Sequence, residues 1–397
     1  MNYTLCLNMI VKNESHIIEK TLEMLCKIFK FNYWVIADTG STDNTKEIII
    51  EFFRNLNIPG ELLEHLWKDF GHNRTLALEA AYNKTDYLLI FDADDIIHGN
   101  LVLPELKLNI YSLIFGKNFI YTRPLLINNR LKWKFIGVLH EYLERENDSY
   151  NLKEVVKGDY YIESSRTGAR NRNSSKYLED AKILSNAYDI EDDLKLKERY
   201  AFYCAQSYKD VPDKEKSIEW YKKVIEGNNW NQEKYYACLQ IANQSSDDIV
   251  KYLTLASEFD NDRIENIVEL MKYYNNKKMH VLVNALYHKY KNYNKNPASK
   301  KLFLTKNYYD DMIEYYNSIS AFYVNDIETG YLCCKQIISN NIISSNYLVS
   351  TLNNIIFYKD QFYKETKENK IKLINYYNQH LIKFKIKNSK FLNILQI

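Results

Sequence analysis

Two short apolar runs, each leading into a helical pattern, set the fold of the first part of this chain. Thr4 to Val11 reads Thr-Leu-Cys-Leu-Asn-Met-Ile-Val, and beyond Lys12-Asn13-Glu14 apolar residues recur at Ile17, Ile18, Leu22 and Leu25. The change from a continuous run to helical spacing predicts a strand followed by an amphipathic helix. The pattern repeats: Tyr33 to Asp38 is a second buried strand, Gly40-Ser41-Thr42-Asp43 a turn able to cap, and Thr45 to Phe53 a helix. A further helix from Asn73 to Asn83 leads into Asp86-Tyr87-Leu88-Leu89-Ile90-Phe91-Asp92, an apolar strand that ends in acid. Alternating strands and helices imply a parallel sheet. In such sheets ligands bind outside the carboxyl ends of the strands, which predicts that Asn13, Asp38 and Asp92 meet at one edge.

After about residue 173 the texture turns to long helical periodicity with Lys/Glu/Tyr faces and almost no strand signal. The polar stretch Ser164 to Ser175 marks a boundary, giving an α/β domain over 1–173 and an all-helical domain over 174–397. Within the helical part, Ala205, Tyr208, Ser217, Tyr221 and Val224 follow the steps that a tetratricopeptide helical pair requires. Tyr235, Cys238 and Leu239 fall in equivalent slots, as do Ala321, Gly330, Cys334 and Ile337. The stretch 250–310 fits that period poorly, so a generic helical bundle stands beside the repeat reading.

Charge excludes one large class of functions. Lys and Arg number 53 against 51 Asp and Glu, so no strongly basic surface exists to neutralise a nucleic-acid backbone. The longest apolar stretch, Leu101 to Tyr121, is broken by Pro104, Glu105, Lys107, Asn109 and Lys117 and falls short of a membrane span. The six cysteines have neither metal-site nor disulfide-framework spacing and read as reduced core thiols. Met1-Asn2-Tyr3-Thr4 lacks a basic signal region, and two glycosylation sequons, at Asn13 and Asn73, sit inside candidate site motifs, so a cytoplasmic location is the expectation. The 35 Tyr, a residue type enriched at interfaces, make a homodimer an expectation for the helical part.

Asp92-Ala93-Asp94-Asp95 carries the strongest chemical signal. Three carboxylates within four residues repel one another unless a cation or a hydrogen-bonding ligand neutralises them. Hard oxygen ligands at a strand end suit Mg²⁺ or Mn²⁺ completed by substrate phosphates, while a solvated acidic turn is the plainer alternative. No glycine-rich phosphate loop follows the first strand, since Lys12-Asn13-Glu14 stands there, which argues against a nucleotidyltransferase or other nucleotide enzyme of that kind.

Taken in order, Met9 to Glu14, Asp38 to Asp43, Trp67 to Arg74 and Asp92 to Asp95 resemble the motifs of family-2 glycosyltransferases of the GT-A fold. The likeness extends to the branch in which such a domain precedes tetratricopeptide-like helices, with Gly137-Val138-Leu139-His140-Glu141 closing the site. It covers about 1–175 by motif. The resemblance implies a nucleoside diphosphate sugar donor, a Mn²⁺ or Mg²⁺ cofactor, and an inverting transfer to a hydroxyl on a glycan, a lipid-linked saccharide or a protein. It further implies that Asp38 accepts from a base N–H, that Lys12, Asn13 and Glu14 line the base and ribose, that Asp92 holds the ribose side, and that Asp94 holds the metal. Arg74 offers a planar fork to the nucleotide, Asp95 lies toward sugar or acceptor, and Asp69 either joins the site or caps the following helix.

The second half of the site is expected between Arg130 and Glu144. Trp133 supplies a face for a sugar ring. Inverting transfer needs a general base for the acceptor hydroxyl, and Glu141 is the base with His140 as a metal or diphosphate contact, or the reverse. Arg166 and Arg170, in a stretch rich in Ser, Gly and Asn, are placed to fold over the diphosphate, with Arg172 beside them. Gly71-His72 departs from many relatives, which leaves the donor sugar open. The competing class is a tetratricopeptide-like protein-binding scaffold behind an inactive sugar-nucleotide domain.

Overall fold

The computed structural model describes residues 3–117, 119–145, 152–297, 301–340 and 344–384. It divides into two compact units, Met1–Glu233 and Lys234–Ile397. The first begins with β1 (Leu5–Val11), α1 (Ile18–Ile28), β2 (Tyr33–Asp38), α2 (Thr45–Asn55), β3 (Gly60–Glu64), α3 (Phe70–Ala81) and β4 (Tyr87–Ile90). It continues through β5 (Asp95–Asn100), β6 (Ile110–Phe115), β7 (Phe119–Asn128), β8 (Trp133–Ile136), β9 (Tyr142–Arg145), β10 (Lys153–Val155) and β11 (Asp159–Ser164). A 3₁₀ turn at Ala169–Arg172 leads to α4 (Lys176–Ile190), α5 (Leu194–Asp210) and α6 (Lys214–Glu226).

The main sheet runs in the order β3-β2-β1-β4-β7-β6-β11-β5, and β8 and β9 form a separate hairpin. The four strands β3, β2, β1 and β4 are parallel, as the strand–helix alternation predicts. Period-2 alternation sorts their side chains between two layers. Leu5, Leu7, Met9, Val11, Trp34, Ile36, Tyr87 and Leu89 join Ile18, Leu22 and Leu25 of α1 and Ile49 and Phe53 of α2 in one core. Cys6, Val35, Leu88 and Ile90 face the other way onto Leu78 and Ala81 of α3. Each large apolar side chain buried in this way contributes about 1.5–3 kcal/mol.

Register brings the functional residues together. Val11 lies opposite Asp38, and Asp38 opposite Glu64, so the strand ends carrying Asn13 and Asp38 are level. The break comes at β7, which runs antiparallel to β4 with Tyr87 opposite Asn128 and Leu89 opposite Leu126. Carried on beyond β4, this register sets Arg123 of β7 against Asp92. The stretch Leu101 to Tyr121, apolar but interrupted, supplies β6 and the start of β7.

Helix α3 begins where Asp69 accepts from the backbone N–H of His72 at 2.7 Å, so the capping role is the one the structure shows for this residue. Gly71 is required by close approach: a Cβ there would lie 2.3 Å from the carbonyl oxygen of Gly137. This contact seats the helix on the loop between β8 and β9 and accounts for the glycine at that departure from the family pattern.

The second unit is helical, as expected. It holds the remainder of α7 (Asn231–Gln244), then α8 (Ile249–Phe259), α9 (Glu265–Asn276), α10 (His280–Tyr290), α11 (Met312–Tyr323) and α12 (Ile327–Ser339). Helices α13 (Ser345–Asn354), α14 (Lys359–Lys364) and α15 (Lys367–Phe384) complete it. The candidate repeat positions are interior: Tyr235, Cys238, Ala321, Cys334 and Ile337 are all buried. None of the six cysteines is paired, and five are buried. No described helix is long and apolar enough to cross a membrane.

A buried ion pair organises this unit. Arg263 and Glu265, each 1 % exposed, meet at 2.6 Å, with the guanidinium over the Tyr235 ring and bonded to the Leu302 carbonyl, and with Tyr309 Oη donating to the carboxylate. Removing one partner leaves an uncompensated buried charge. Glu265→Ala is therefore expected to cost about 3–5 kcal/mol of unfolding free energy by denaturant titration.

Candidate active site

The segments that follow β1, β2 and β4 converge at the carboxyl edge of the parallel strands. After β1, Asn13 adopts a left-handed conformation (φ 57°), and its Oδ1 accepts from Thr42 N at 2.7 Å while its own N–H donates to Ser41 Oγ. The turn after β2 is held from the other side by Asp38, whose Oδ2 accepts from the N–H groups of Gly40 and Ser41 at 2.9 and 2.8 Å. Asp38 is 1 % exposed, and its Oδ1 has no hydrogen-bond partner. A buried carboxylate oxygen left open costs stability unless a ligand supplies the donor. Lys12 is exposed beside this turn.

The next layer is a buried charge network. Arg74, on α3 and 8 % exposed, donates through Nη2 to Asp92 Oδ1 and through Nε to Glu141 Oε1, both at 2.6 Å. The other Asp92 oxygen takes Arg123 Nη2 at 3.1 Å, and Arg123 Nη1 lies 3.6 Å from Asp95 Oδ2. Burial would raise the pKa of Asp92, but the two guanidinium groups outweigh it and hold the carboxyl well below its usual range. Asp95 shows the opposite balance. It is 1 % exposed with neither carboxylate oxygen hydrogen-bonded, and burial together with the Asp92 charge pushes it up to about 8 against the pull of Arg123.

Asp94 faces a strap formed by residues 165–172. Its carbonyl accepts from Ser165 N and Oγ, and its Oδ2 accepts from Gly168 N and Asn171 Nδ2, each at 3.3 Å. Glu14 accepts from Ala169 N at 3.2 Å, and burial, reinforced by the Asp94 charge, raises its carboxyl to about 7. A Cβ at Gly168 would stand 3.0 Å from Asp94 Oδ2 and 3.3 Å from Glu14 Oε1, so this glycine fits between two carboxylates. Arg166 is left-handed (φ 57°) and exposed, Arg172 is exposed, and Arg170 pairs with buried Asp180 and lies over the Phe70 ring at 4.8 Å. Lys176 donates to Asn171 Oδ1 at 2.6 Å.

His140 and Glu141 stand on the loop joining β8 to β9, where Ile136 pairs with Tyr142. The alternation of a strand therefore does not apply to them. His140 is left-handed (φ 55°), its exposed ring stacked on Tyr203 of α5 with centroids 4.0 Å apart and 8° between planes. Protein atoms crowded around it, then the charges of Arg199, Arg170, Lys176 and Arg123, depress its pKa to about 3.

Two expectations need correction. Trp133 is no sugar platform: it is 6 % exposed, its indole N–H bonds the Asn128 carbonyl, and it packs in the core under α3. The signal was present, since Leu131, Trp133 and Phe135 alternate and share one apolar face. Asp95, expected toward sugar or acceptor, is buried, and the pairing of β5 with β11 sets it opposite Ser164. Sequence reasoning missed Arg123, which only the antiparallel register reveals. It also missed Arg199 and Tyr203, although Leu196, Arg199, Tyr200 and Tyr203 form a helical stripe at i, i+3, i+4 and i+7.

Among the described residues no three His, Cys, Asp or Glu side chains gather into a metal site. The Asp94 carboxylate, with Glu14 across the Gly168 gap, nonetheless offers hard oxygens of the kind that Mg²⁺ or Mn²⁺ takes when substrate phosphates complete its shell.

Residues 6–110 match the model of Glycosyl transferase family 2, and this stretch holds Asn13, Asp38, Arg74 and Asp92 to Asp95. The chain thus carries a glycosyltransferase domain. No curated protein matches the chain. Solved structures similar to it include glucosyl-3-phosphoglycerate synthase from Mycobacterium tuberculosis in complex with Mn²⁺, UDP and glucosyl-3-phosphoglycerate, at 17% identity over 30% of this chain and 46% of that one, TM-score 0.24. S. aureus TarS 1-349 in complex with UDP-GlcNAc matches at 14% identity over 61% of this chain and 89% of that one, TM-score 0.33. The mannosyltransferase PcManGT from Pyrobaculum calidifontis in complex with GDP-Man and Mn²⁺ matches at 12% identity over 65% and 76%, TM-score 0.37. The chain spans 46% of the length of the mycobacterial synthase.

The raised pKa of Asp95 has a sign that can be tested. Its ordinary value is 3.8 and its folded value about 8, so the folded state binds more protons between these limits and stability falls as pH rises through them. Asp95→Asn keeps the shape and removes the titration. Melting curves of the variant are expected to flatten across that window, where the wild type loses up to ~1.4 kcal/mol per pH unit.

Proposed function

We propose that this chain is an inverting, metal-dependent glycosyltransferase that moves a hexose or N-acetylhexosamine from a nucleoside diphosphate sugar, UDP-linked, to an acceptor hydroxyl on a glycan, a lipid-linked saccharide or a protein. The observation that carries the reading is the open, buried Oδ1 of Asp38 at the strand edge that also bears Asp92 and Asp94. A carboxylate oxygen in that position accepts a base N–H, which selects a nucleobase rather than a bare phosphate. Lys12, Asn13 and Glu14 shape the wall around base and ribose, and Asp92, oriented by Arg74 and Arg123, faces the ribose side. Asp94, with Glu14 beside it, would hold Mn²⁺ or Mg²⁺, which when bound supplies Lewis-acid stabilisation of the diphosphate.

The transfer itself falls to this chain's own groups. Arg74 occupies Oε1 of Glu141 and leaves Oε2 open, so Glu141 takes the acceptor proton as the hydroxyl oxygen bonds to the anomeric carbon. The bond from that carbon to the diphosphate oxygen breaks, and the diphosphate leaves toward Arg166, Arg170 and Lys176. We read the donor machinery as 1–173 and the helices of 174–397 as tetratricopeptide-like, acting in the cytoplasm. The helical pair of α5 and α6 favours this, with Ala205, Ser217, Tyr221 and Val224 buried and Ser217 Oγ donating to the Ala205 carbonyl at 3.1 Å.

Calorimetric and thermal titration of UDP, GDP and dTDP, each with and without Mn²⁺, tests the reading on wild type, Asp38→Ala and Asp94→Ala. UDP at a hundredfold excess over its Kd is expected to stabilise the wild type by about 2.7 kcal/mol. Asp38→Ala is expected to weaken UDP by roughly 10- to 100-fold, the worth of a hydrogen bond to a charged group. Asp94→Ala is expected to abolish the Mn²⁺ enhancement. Binding of no nucleotide by the wild type, with or without metal, overturns the proposal.

A further inference from the structure

Helix α5 lies beyond the sheet, yet one stripe of it grips the loop that carries His140 and Glu141. Leu196 packs within 3.4 Å of where a Gly137 Cβ would be, and Tyr200 Oη accepts from Val138 N at 3.1 Å. Arg199 Nε donates to the His140 carbonyl at 2.7 Å, its guanidinium over the Tyr142 and Tyr203 rings at 5.3 and 4.8 Å. Tyr203 stacks flat on the His140 imidazole. Four helix residues thus hold Gly137, Val138, His140 and Tyr142, the residues on both sides of Glu141.

The loop needs such a clamp. His140 is a non-glycine residue at φ 55°, a conformation costing of order 1–3 kcal/mol that persists only where surroundings over-determine it. Here the surroundings fix both ends of the residue: Arg199 takes the carbonyl and Tyr203 the ring. Left-handed backbone at His140 turns the chain so that Glu141 points back to Arg74 at 2.6 Å. Without these contacts the strain at His140 favours relaxation to negative φ, which would turn the backbone that leads into Glu141.

We propose that Arg199 and Tyr203 are positioning residues of the transfer reaction, which hold the His140–Glu141 turn in its strained, productive form, so that the acceptor half of the site is incomplete without α5. The proposal rests on Glu141 as the base. It adds that residues from the helical sequence, outside the 6–110 family match, govern turnover rather than donor binding. Both side chains are poor candidates for donor contacts, because Arg199 is spent on a backbone carbonyl and Tyr203 has its ring covered by His140 on one side.

The test uses the full chain with Arg199→Ala, Arg199→Lys, Tyr203→Ala and Tyr203→Phe. The first readout is the His140 Cε1–H resonance, identified among the 8 histidines by its loss in His140→Gln and shifted upfield by the stacked ring. The second is UDP affinity by calorimetry, and the third is UDP release from UDP-glucose and UDP-N-acetylglucosamine. Arg199→Ala and Tyr203→Ala are expected to move the resonance toward its unstacked position and to lower kcat about 10- to 100-fold, with UDP affinity within about twofold of wild type. Tyr203→Phe keeps the ring and is expected to leave the resonance in place, and Arg199→Lys, which still reaches the carbonyl, to fall between. An unmoved His140 resonance in Arg199→Ala overturns the proposal, as does a loss of UDP affinity equal to the loss of turnover. A wild type that binds no nucleotide defeats the transferase reading instead, and the resonance still decides whether α5 holds the turn.

Discussion

The guanidinium of Arg74 is the joint on which the site depends. It sits on α3, is almost fully buried, and reaches both Asp92 after β4 and Glu141 on the β8–β9 loop. A buried arginine without partners is untenable, so the three segments are fixed relative to one another by a single charge. Gly71, one turn earlier on the same helix, permits the approach by leaving room for the Gly137 carbonyl. Arg123 then ties Asp92 to β7, and the network of two guanidinium groups and three carboxylates spans the place where the sheet changes from parallel to antiparallel.

Around that joint the backbone is bent at defined points. Asn13, His140 and Arg166 are all left-handed, and each lies in a segment that borders the candidate donor or acceptor space. Each is also held in place: Asn13 by the turn after β2, His140 by α5, and the strap following Arg166 by Glu14 and Asp94. Strain of this kind survives where contacts outweigh it, and the contacts here belong to site residues rather than to the core.

The parallel half of the fold was legible because period and chemistry agreed. Apolar runs of strand length, helical spacing behind them, and polar residues at the run ends placed Asn13, Asp38 and Asp92 on one edge. The antiparallel half was not, since β5, β6, β7 and β11 lack the alternation with helices that signals register. Arg123 therefore looked like one charge within an apolar stretch, while pairing with β4 makes it the partner of Asp92. Trp133 misled for a different reason. An aromatic near His140 and Glu141 in sequence suggests a sugar face, but side-chain direction on a hairpin alternates, and the face shared with Leu131 and Phe135 is the core face. Composition marked a boundary near residue 173, and nothing in it shows that a helix beyond that point touches the site.

Charge at the candidate site is divided between an acidic and a basic group of residues. On one side lie Glu14 and Asp94, where burial and the Asp94 charge raise the cost of charging Glu14 and the Ala169 amide offsets part of it. On the other side protein atoms crowded around His140, and then the charges of Arg199, Arg170, Lys176 and Arg123, lower its pKa. During transfer, negative charge leaves the base and appears on the diphosphate, so fixed cations near the leaving group stabilise the transition state more than the ground state. Glu141 meanwhile is held by Arg74 Nε through Oε1 at 2.6 Å, which fixes the direction of its carboxylate. His140 presents a flat ring beside Glu141, and its place is set by Tyr203, which stacks on it, and by Arg199, which holds its carbonyl.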